Sequence, residues 1–254
     1  MRNRKGLHRV KRAIIMAAGS GTRLHPLTLA TPKPLIPVNG IRMIDSIIAA
    51  LHENGIFEII VVVGYRKEAF LPLEAEIPGL KLVENIWYEQ CNNISSLYAA
   101  REYLGDCMIL DGDQLIRRAG ILSPLFYSSG YSAAWTDKET KEWLLTVRDG
   151  VIQSCSRSGG KHGWQLYSIS RWSAEDGARL RRHLETEFEE RKNRQIYWDD
   201  VPLFCYPENY RLGIHPIRKE DILEIDSLEE LASADPYYRC FLSEKEVEYE
   251  KEKS

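Results

Sequence analysis

Residues 13–34, AIIMAAGSGTRLHPLTLATPKP, decide how the rest of the chain is read. Residues 13–17 form a short apolar run bounded by small residues, the pattern of a buried strand. Gly19 and Gly21 then let the backbone turn sharply and approach a ligand closely, while Ser20, Thr22 and successive free N–H groups can face phosphate oxygens. Arg23 sits inside that loop, and Lys33 is held between Pro32 and Pro34, which restrict the backbone on both sides. A strand, a glycine loop and two cations describe a cradle for a triphosphate. The two commoner phosphate loops do not fit. A P-loop ends in Gly-Lys-Ser/Thr, whereas Gly21 is followed by Thr22 and Arg23, and a dinucleotide fingerprint needs a third glycine where Leu24 stands.

Outward from this stretch the chain alternates strand and helix patterns, as an α/β fold requires. Apolar residues recur at helical spacing over 43–54 and stop at Gly55, and the β-branched run 58–63 ends at Gly64. A second helix is expected from about Arg66, a strand over 80–83, a helix capped by the Asn92-Asn93 pair and running to about Leu104, and a strand over 107–110 that feeds into Asp111-Gly112-Asp113. In open α/β sheets ligands bind at the carboxyl ends of the strands, so this acidic end belongs beside the Gly19 loop. Further on, 131–135, 143–147 and 165–169 read as strands, the Ser158-Gly159-Gly160 turn separates shorter segments, and 174–191 reads as an amphipathic helix. The expected organisation is one domain, with a nucleotide-binding half over about 12–115, an acceptor-binding half over about 116–235 and a solvated charged tail over 243–254.

Composition sets limits on partners. With 34 basic and 37 acidic residues the formal charge is -3, which gives no basic excess for nucleic acid. The five cysteines are scattered without a CxxC pair, which fits reduced thiols and offers no zinc site. No apolar run is long enough to span a bilayer, so no membrane partner is expected and the expected location is cytoplasmic.

Asp113 and Asp226 each follow an apolar run, and at strand ends facing a triphosphate they would suit Mg2+, which takes one or two carboxylates plus phosphate oxygens and water. Alternatively Asp226, followed by Ser-Leu-Glu-Glu, caps a helix, and Asp111 holds the loop and not the ion.

The stretch Ala17-Ala18-Gly19-x-Gly21-Thr22-Arg23, then Pro26 and Thr28, then Thr31-Pro32-Lys33-Pro34, resembles the nucleotidyltransferase signature. More narrowly, from about Arg12 to about Leu231 the chain is similar to the bacterial CTP:phosphocholine cytidylyltransferases, within the sugar-nucleotidyltransferase-like superfamily. The similarity is carried by Val63-Gly64-Tyr65, Asn92-Asn93-x-x-Ser96-Leu97-Tyr98, Asp111-Gly112-Asp113, Glu142-Trp143, Tyr197-Trp198-Asp199 and Glu224-Ile225-Asp226-Ser227. The glycine-leucine-alanine-glutamine type segment of the sugar enzymes is missing at 92–96.

That resemblance implies a Rossmann-like three-layer α/β/α nucleotidyltransferase fold with a mixed, mostly parallel sheet. It implies Arg23 and Lys33 on the nucleotide phosphates, Asp113 and Asp226 on Mg2+, and Trp143, Tyr197, Asp199 and Glu224 around a quaternary ammonium. The loop around Ala17 to Gly19, with Asn92, Asn93 and Ser96, is the expected contact for base or ribose. A trimethylammonium has no N–H to donate, so aromatic faces with a nearby carboxylate are its natural partners. The implied reaction passes CMP from CTP to phosphocholine. Phosphoethanolamine, 2-aminoethylphosphonate, a sugar 1-phosphate, or nucleotide binding without catalysis are the alternatives.

Overall fold

The computed structural model describes residues 6–242; the charged segment 243–254 lies outside the described residues. Its strands and helices are, in chain order, β1 (Arg12–Ala17), α1 (Met43–Glu53), β2 (Glu58–Val63), α2 (Leu71–Glu76), β3 (Leu80–Glu84), α3 (Ile94–Ala99), β4 (Cys107–Asp111), β5 (Gln114–Ile116), β6 (Gly130–Thr136), β7 (Leu144–Arg148), β8 (Val151–Ser156), β9 (Gly163–Trp172), α4 (Ala174–Glu185), β10 (Gly213–Pro216), β11 (Ile222–Glu224) and α5 (Leu228–Ala234), with shorter pieces between them.

Nine strands form one sheet in the order β6-β10-β8-β7-β9-β4-β1-β2-β3. β1 is central to the first half, parallel to both β2 and β4, with Ala17 opposite Val63 and Met16 opposite Asp111. Its alternate residues serve two layers. Ala13, Ile15 and Ala17 pack with Ile44, Ile47 and Leu51 of α1, whereas Ile14 and Met16 pack with Leu97 of α3 and Leu180 of α4. Burying one such Ile contributes about 1.5–3 kcal/mol, against a spread of ~1 kcal/mol in strand propensity, so burial on both faces fixes this strand.

The sheet is mixed as expected but not mostly parallel: among the described residues four of its strand pairings are parallel and five antiparallel, because the second half folds back in hairpins. β1 to β4 pair parallel, β4 meets β9 antiparallel, and the second half is antiparallel apart from the β6–β10 pair. β6 also pairs with β9, so β9, β7, β8, β10 and β6 close on themselves in a small ring. A third cluster joins Leu24, Ile36 and Met43 to Ile225, Leu228 and Leu231. It seats β11 and α5, from the end of the chain, against the loop that follows β1.

Two expected helices differ. The one expected from Asn92 is only Ile94–Ala99 and tightens into a 3-10 turn over Arg101–Tyr103; the Asn93 side chain does not cap it, its Oδ1 accepting the backbone N–H of Trp198 at 2.9 Å. The one expected over 174–191 is capped by Ser173, ends at Glu185 and widens into a π-type turn over Thr186–Glu190.

Candidate active site

Two clefts meet at the carboxyl ends of β1 and β4. The first, about 250 Å³, is lined by Ala17, Gly19, Gly21, Thr22, Arg23 and Lys33 together with Asp113 and Asp226. The loop owes its shape to Gly21, which sits at φ 62° with its carbonyl accepting Thr28 Oγ1 at 2.9 Å. A Cβ there would lie 3.0 Å from Thr28 Cγ2 and 3.1 Å from Lys33 Cβ, so glycine is needed for space as well as for conformation. Across the cleft the Gly112 N–H donates to Met16 O at 2.8 Å, and a Cβ at Gly112 would crowd that carbonyl at 3.0 Å. Asp111 and Asp113 are thereby pinned beside the glycine loop, although Ala18 is buried and lines neither cleft.

Lys33 is the hub. Its Nζ donates to Asp113 Oδ2 at 2.6 Å and to Asp226 Oδ1 at 3.0 Å, and Arg23 Nη2 donates to the same Asp226 oxygen at 3.0 Å. The Lys33 side chain is 7% exposed, the two carboxylates about a third or more and Arg23 mostly exposed. Burial pulls the ammonium pKa down, but the two aspartates outweigh it and the net shift is upward, so Lys33 stays charged. Asp226 is not the cap of α5. That role falls to Ser227, whose Oγ accepts the Glu230 N–H at 3.1 Å while Glu230 Oε2 accepts the N–H groups of Ser227 and Asp226. The Asp226 carboxylate is left to the cations.

No cluster of three or more His, Cys, Asp or Glu side chains is arranged for a metal ion among the described residues. Asp113 and Asp226 do form a carboxylate pair gathered by one ammonium, next to the loop that can hold phosphates. That donor set fits Mg2+, whose remaining ligands are ordinarily phosphate oxygens and water.

The second cleft, about 240 Å³, shares Arg23, Asp113 and Asp226 with the first and continues between Asp111, Glu224, Asp199 and the Trp143–Tyr197 pair. It is a carboxylate-rich space. Burial, then repulsion from Asp113, pushes Asp111 up to about 7. Burial likewise raises Glu224 to about 8, although Gln114 Nε2 donates to its Oε1 at 2.9 Å. Asp199 is pushed well above the usual carboxylate range by burial and by Asp111. Its Oδ1 has no hydrogen-bond partner, and the Tyr131 hydroxyl beside it is not in bonding geometry. Each of these acids is short of positive charge and would be relieved by a bound cation.

Trp143 and Tyr197 stand edge to face, with centroids 5.7 Å apart at 88°. Trp198 points the other way, buried against Tyr131 and Trp172. Asn93 lines this cleft, whereas Asn92 donates its amide to Gln195 O at 3.1 Å and Ser96 is buried accepting from Asn85, and neither lines either cleft. Ser168, Leu166 and Glu142 also line the cleft. Ser168 and Leu166 follow from the alternation of β9, but no chemical motif marked them.

The Nucleotidyl transferase family model matches residues 12–122. Over 229 residues the chain is 42% identical to the 2-aminoethylphosphonate cytidylyltransferase of Lancefieldella rimae, covering 89% of this chain and 92% of that one. It is 32% identical to the choline-phosphate cytidylyltransferase of Streptococcus pneumoniae, covering 86% and 94%. The solved structure of the CTP:phosphocholine cytidylyltransferase from Streptococcus pneumoniae superposes with a TM-score of 0.80 at 31% identity, covering 91% of this chain and all of that one.

Proposed function

This chain belongs to the nucleotidyl transferase family, and from that premise we propose that it transfers CMP from CTP to 2-aminoethylphosphonate, releasing pyrophosphate. The observation that carries the choice of acceptor is the make-up of the second cleft, which offers Asp199, Glu224 and Asp111 as poorly compensated acids but only Trp143 and Tyr197 as aromatic walls. A primary ammonium brings three N–H donors that such acids can accept, whereas a quaternary ammonium has none and depends on aromatic faces. The Lancefieldella rimae relative, at 42% identity, points the same way. Phosphocholine is the second reading, favoured by the edge-to-face pair at the cleft mouth and by the relatives named for that substrate.

The chemistry follows from charge. A phosphate monoester such as phosphocholine has its second pKa near about 6 and is largely a dianion at neutral pH, and a phosphonate likewise presents anionic oxygens, so neither acceptor needs a general base. An acceptor oxygen forms a bond to the α-phosphorus of CTP while the bond from that phosphorus to the pyrophosphate oxygen breaks, and the electron pair leaves with pyrophosphate. The obstacle is repulsion between two anions, which Arg23 and Lys33 offset from one wall of the cleft. Held by Asp113 and Asp226, Mg2+ would supply further neutralisation of the triphosphate. Asp199 and Glu224 orient the acceptor through its ammonium end, away from the reacting phosphorus.

The test is a pyrophosphate-release assay crossing CTP, UTP, dTTP and ATP with 2-aminoethylphosphonate, phosphocholine, phosphoethanolamine and glucose 1-phosphate. The expected result is the highest kcat/KM for CTP with 2-aminoethylphosphonate, with Asp199→Asn raising that acceptor's KM more than Trp143→Ala does. If instead phosphocholine is preferred and Trp143→Ala raises its KM by several-fold to about thirtyfold, the second reading replaces the first.

A further inference from the structure

After β8 the chain makes a fixed turn. Ser156 Oγ donates to Gly159 O at 2.8 Å, and Thr140 and Gly160 exchange backbone hydrogen bonds at 3.0 Å. Gly159, at φ +72°, leaves no room for a Cβ, which would lie 1.9 Å from Thr140 O. This turn aims Arg157 at the wall of the second cleft. Its Nη2 lies 2.6 Å from Asp200 Oδ1, and its guanidinium carbon sits 4.0 Å from the Phe204 ring centre and 5.8 Å from that of Trp143. Trp143 is edge-on to both Phe204 and Tyr197. Asp200, only 3% exposed, also accepts the Tyr197 N–H through Oδ2 at 2.9 Å. The circuit therefore runs from Arg157 to Asp200, through the Tyr197 backbone to the Tyr197 ring, on to Trp143 and back to Arg157.

We propose that Arg157 is a positioning residue for the ammonium end of the acceptor, clamping the wall formed by Trp143, Tyr197 and Asp199 in its binding geometry. The argument is one of charge and shape. A buried carboxylate such as Asp200 is tolerated when a cation is paired with it, and a planar guanidinium can pair with a carboxylate and stack on a ring at once, which an ammonium cannot. Removing Arg157 leaves a buried carboxylate without its cation, so Asp200 must move toward water. Tyr197 and the neighbouring Asp199 would follow, while the glycine loop, held by Thr28 and Lys33, would not. This inference rests on the reading that the acceptor carries an ammonium group, and the wild-type arm below tests that reading separately.

The experiment measures KM for CTP and for the amine acceptor in wild type, Arg157→Ala, Arg157→Lys, Asp200→Asn and the double variant Arg157→Ala/Asp200→Asn, with Tm for each. Expected are an acceptor KM raised roughly tenfold by either alanine or asparagine, a CTP KM within about twofold of wild type, partial recovery with lysine, and a double variant no worse than the worse single one. An unchanged acceptor KM in Arg157→Ala, full recovery with lysine, or an equal rise in both KM values overturns the clamp. Should Arg157→Ala not fold, the same comparison between Arg157→Lys and wild type decides. A wild type that uses neither 2-aminoethylphosphonate nor phosphocholine defeats the functional reading and with it the clamp, whereas failure in the variants alone, with wild type active on either amine, overturns only the clamp.

Discussion

Lys33 joins two carboxylates and a phosphate loop, so its substitution has two separable effects. Lys33→Ala should lower kcat at least about 100-fold, the scale for losing one preorganised group that faces developing charge. It should also lower the Tm of the metal-free protein, because Asp113 and Asp226 then lose the ammonium they share and only Asp226 keeps a cation, Arg23, and millimolar Mg2+ should restore part of that loss. A Tm indifferent to Mg2+ in the variant would separate the pair from the metal. Asp199 supplies a pH signature. Its folded pKa is raised by burial, so it is protonated at low pH and ionises as pH rises, and an ammonium binds the ionised form. The acceptor KM should therefore fall as pH rises beyond the ordinary carboxylate range, where Asp199 ionises. In Asp199→Asn the fall should be shallower, the remainder coming from Glu224, Asp111 and the acceptor itself; identical slopes would remove Asp199 from ammonium binding.

Among the elements, α5 shows how a helix cap serves a site it does not touch. The reciprocal bonds between Ser227 and Glu230 fix the backbone of Asp226 and leave its carboxylate free for cations. Ser227→Ala should cost about 1 kcal/mol of stability in urea unfolding and raise the Mg2+ concentration needed for half-maximal rate. A stability loss with no change in Mg2+ dependence would limit the cap to folding. The parallel strands were legible because burial on both faces writes a continuous apolar run, as in 13–17 and 58–63. β8, VIQSCS, and β10, GIHP, were not, since one is half polar without a regular alternation and has no fully buried residue, and the other is four residues long and ends in proline. In the candidate site, Arg23 stood out inside the glycine loop, Lys33 between two prolines, and Asp113 and Asp226 after apolar runs. That Trp198 belongs to the core depends on the direction of one turn, and Arg157, set in a run of serines and glycines, gave no signal because its partner Asp200 is brought near only by the folded second half.

For the molecule as a whole, acid should act partly through a group remote from the clefts. Burial, and after it the charge of Arg171, brings the pKa of His215 on β10 down to about 3, and its Nε2 has no partner. The unfolded chain binds this proton at about 6.5, so the contribution is fully present above that pH and is lost as pH falls from there toward 3. His215→Gln should lose less stability than wild type between pH 7 and 4, measured as urea midpoints; equal losses would place the acid sensitivity elsewhere. The ring of five strands has one more consequence, which concerns how the protein behaves in a crowded solution. Because β6 is paired on both sides, the nine-stranded sheet keeps one fully open border, β3, and that border is guarded: Glu74 Oε1 accepts the Leu82 N–H at 3.0 Å, and Lys67 pairs with Glu84. A sheet with one sealed border has little purchase for adding foreign strands. Glu74→Ala combined with Lys81→Val should unseal it, and light scattering on gentle heating should then rise earlier than unfolding does, whereas in the parent protein the two should coincide.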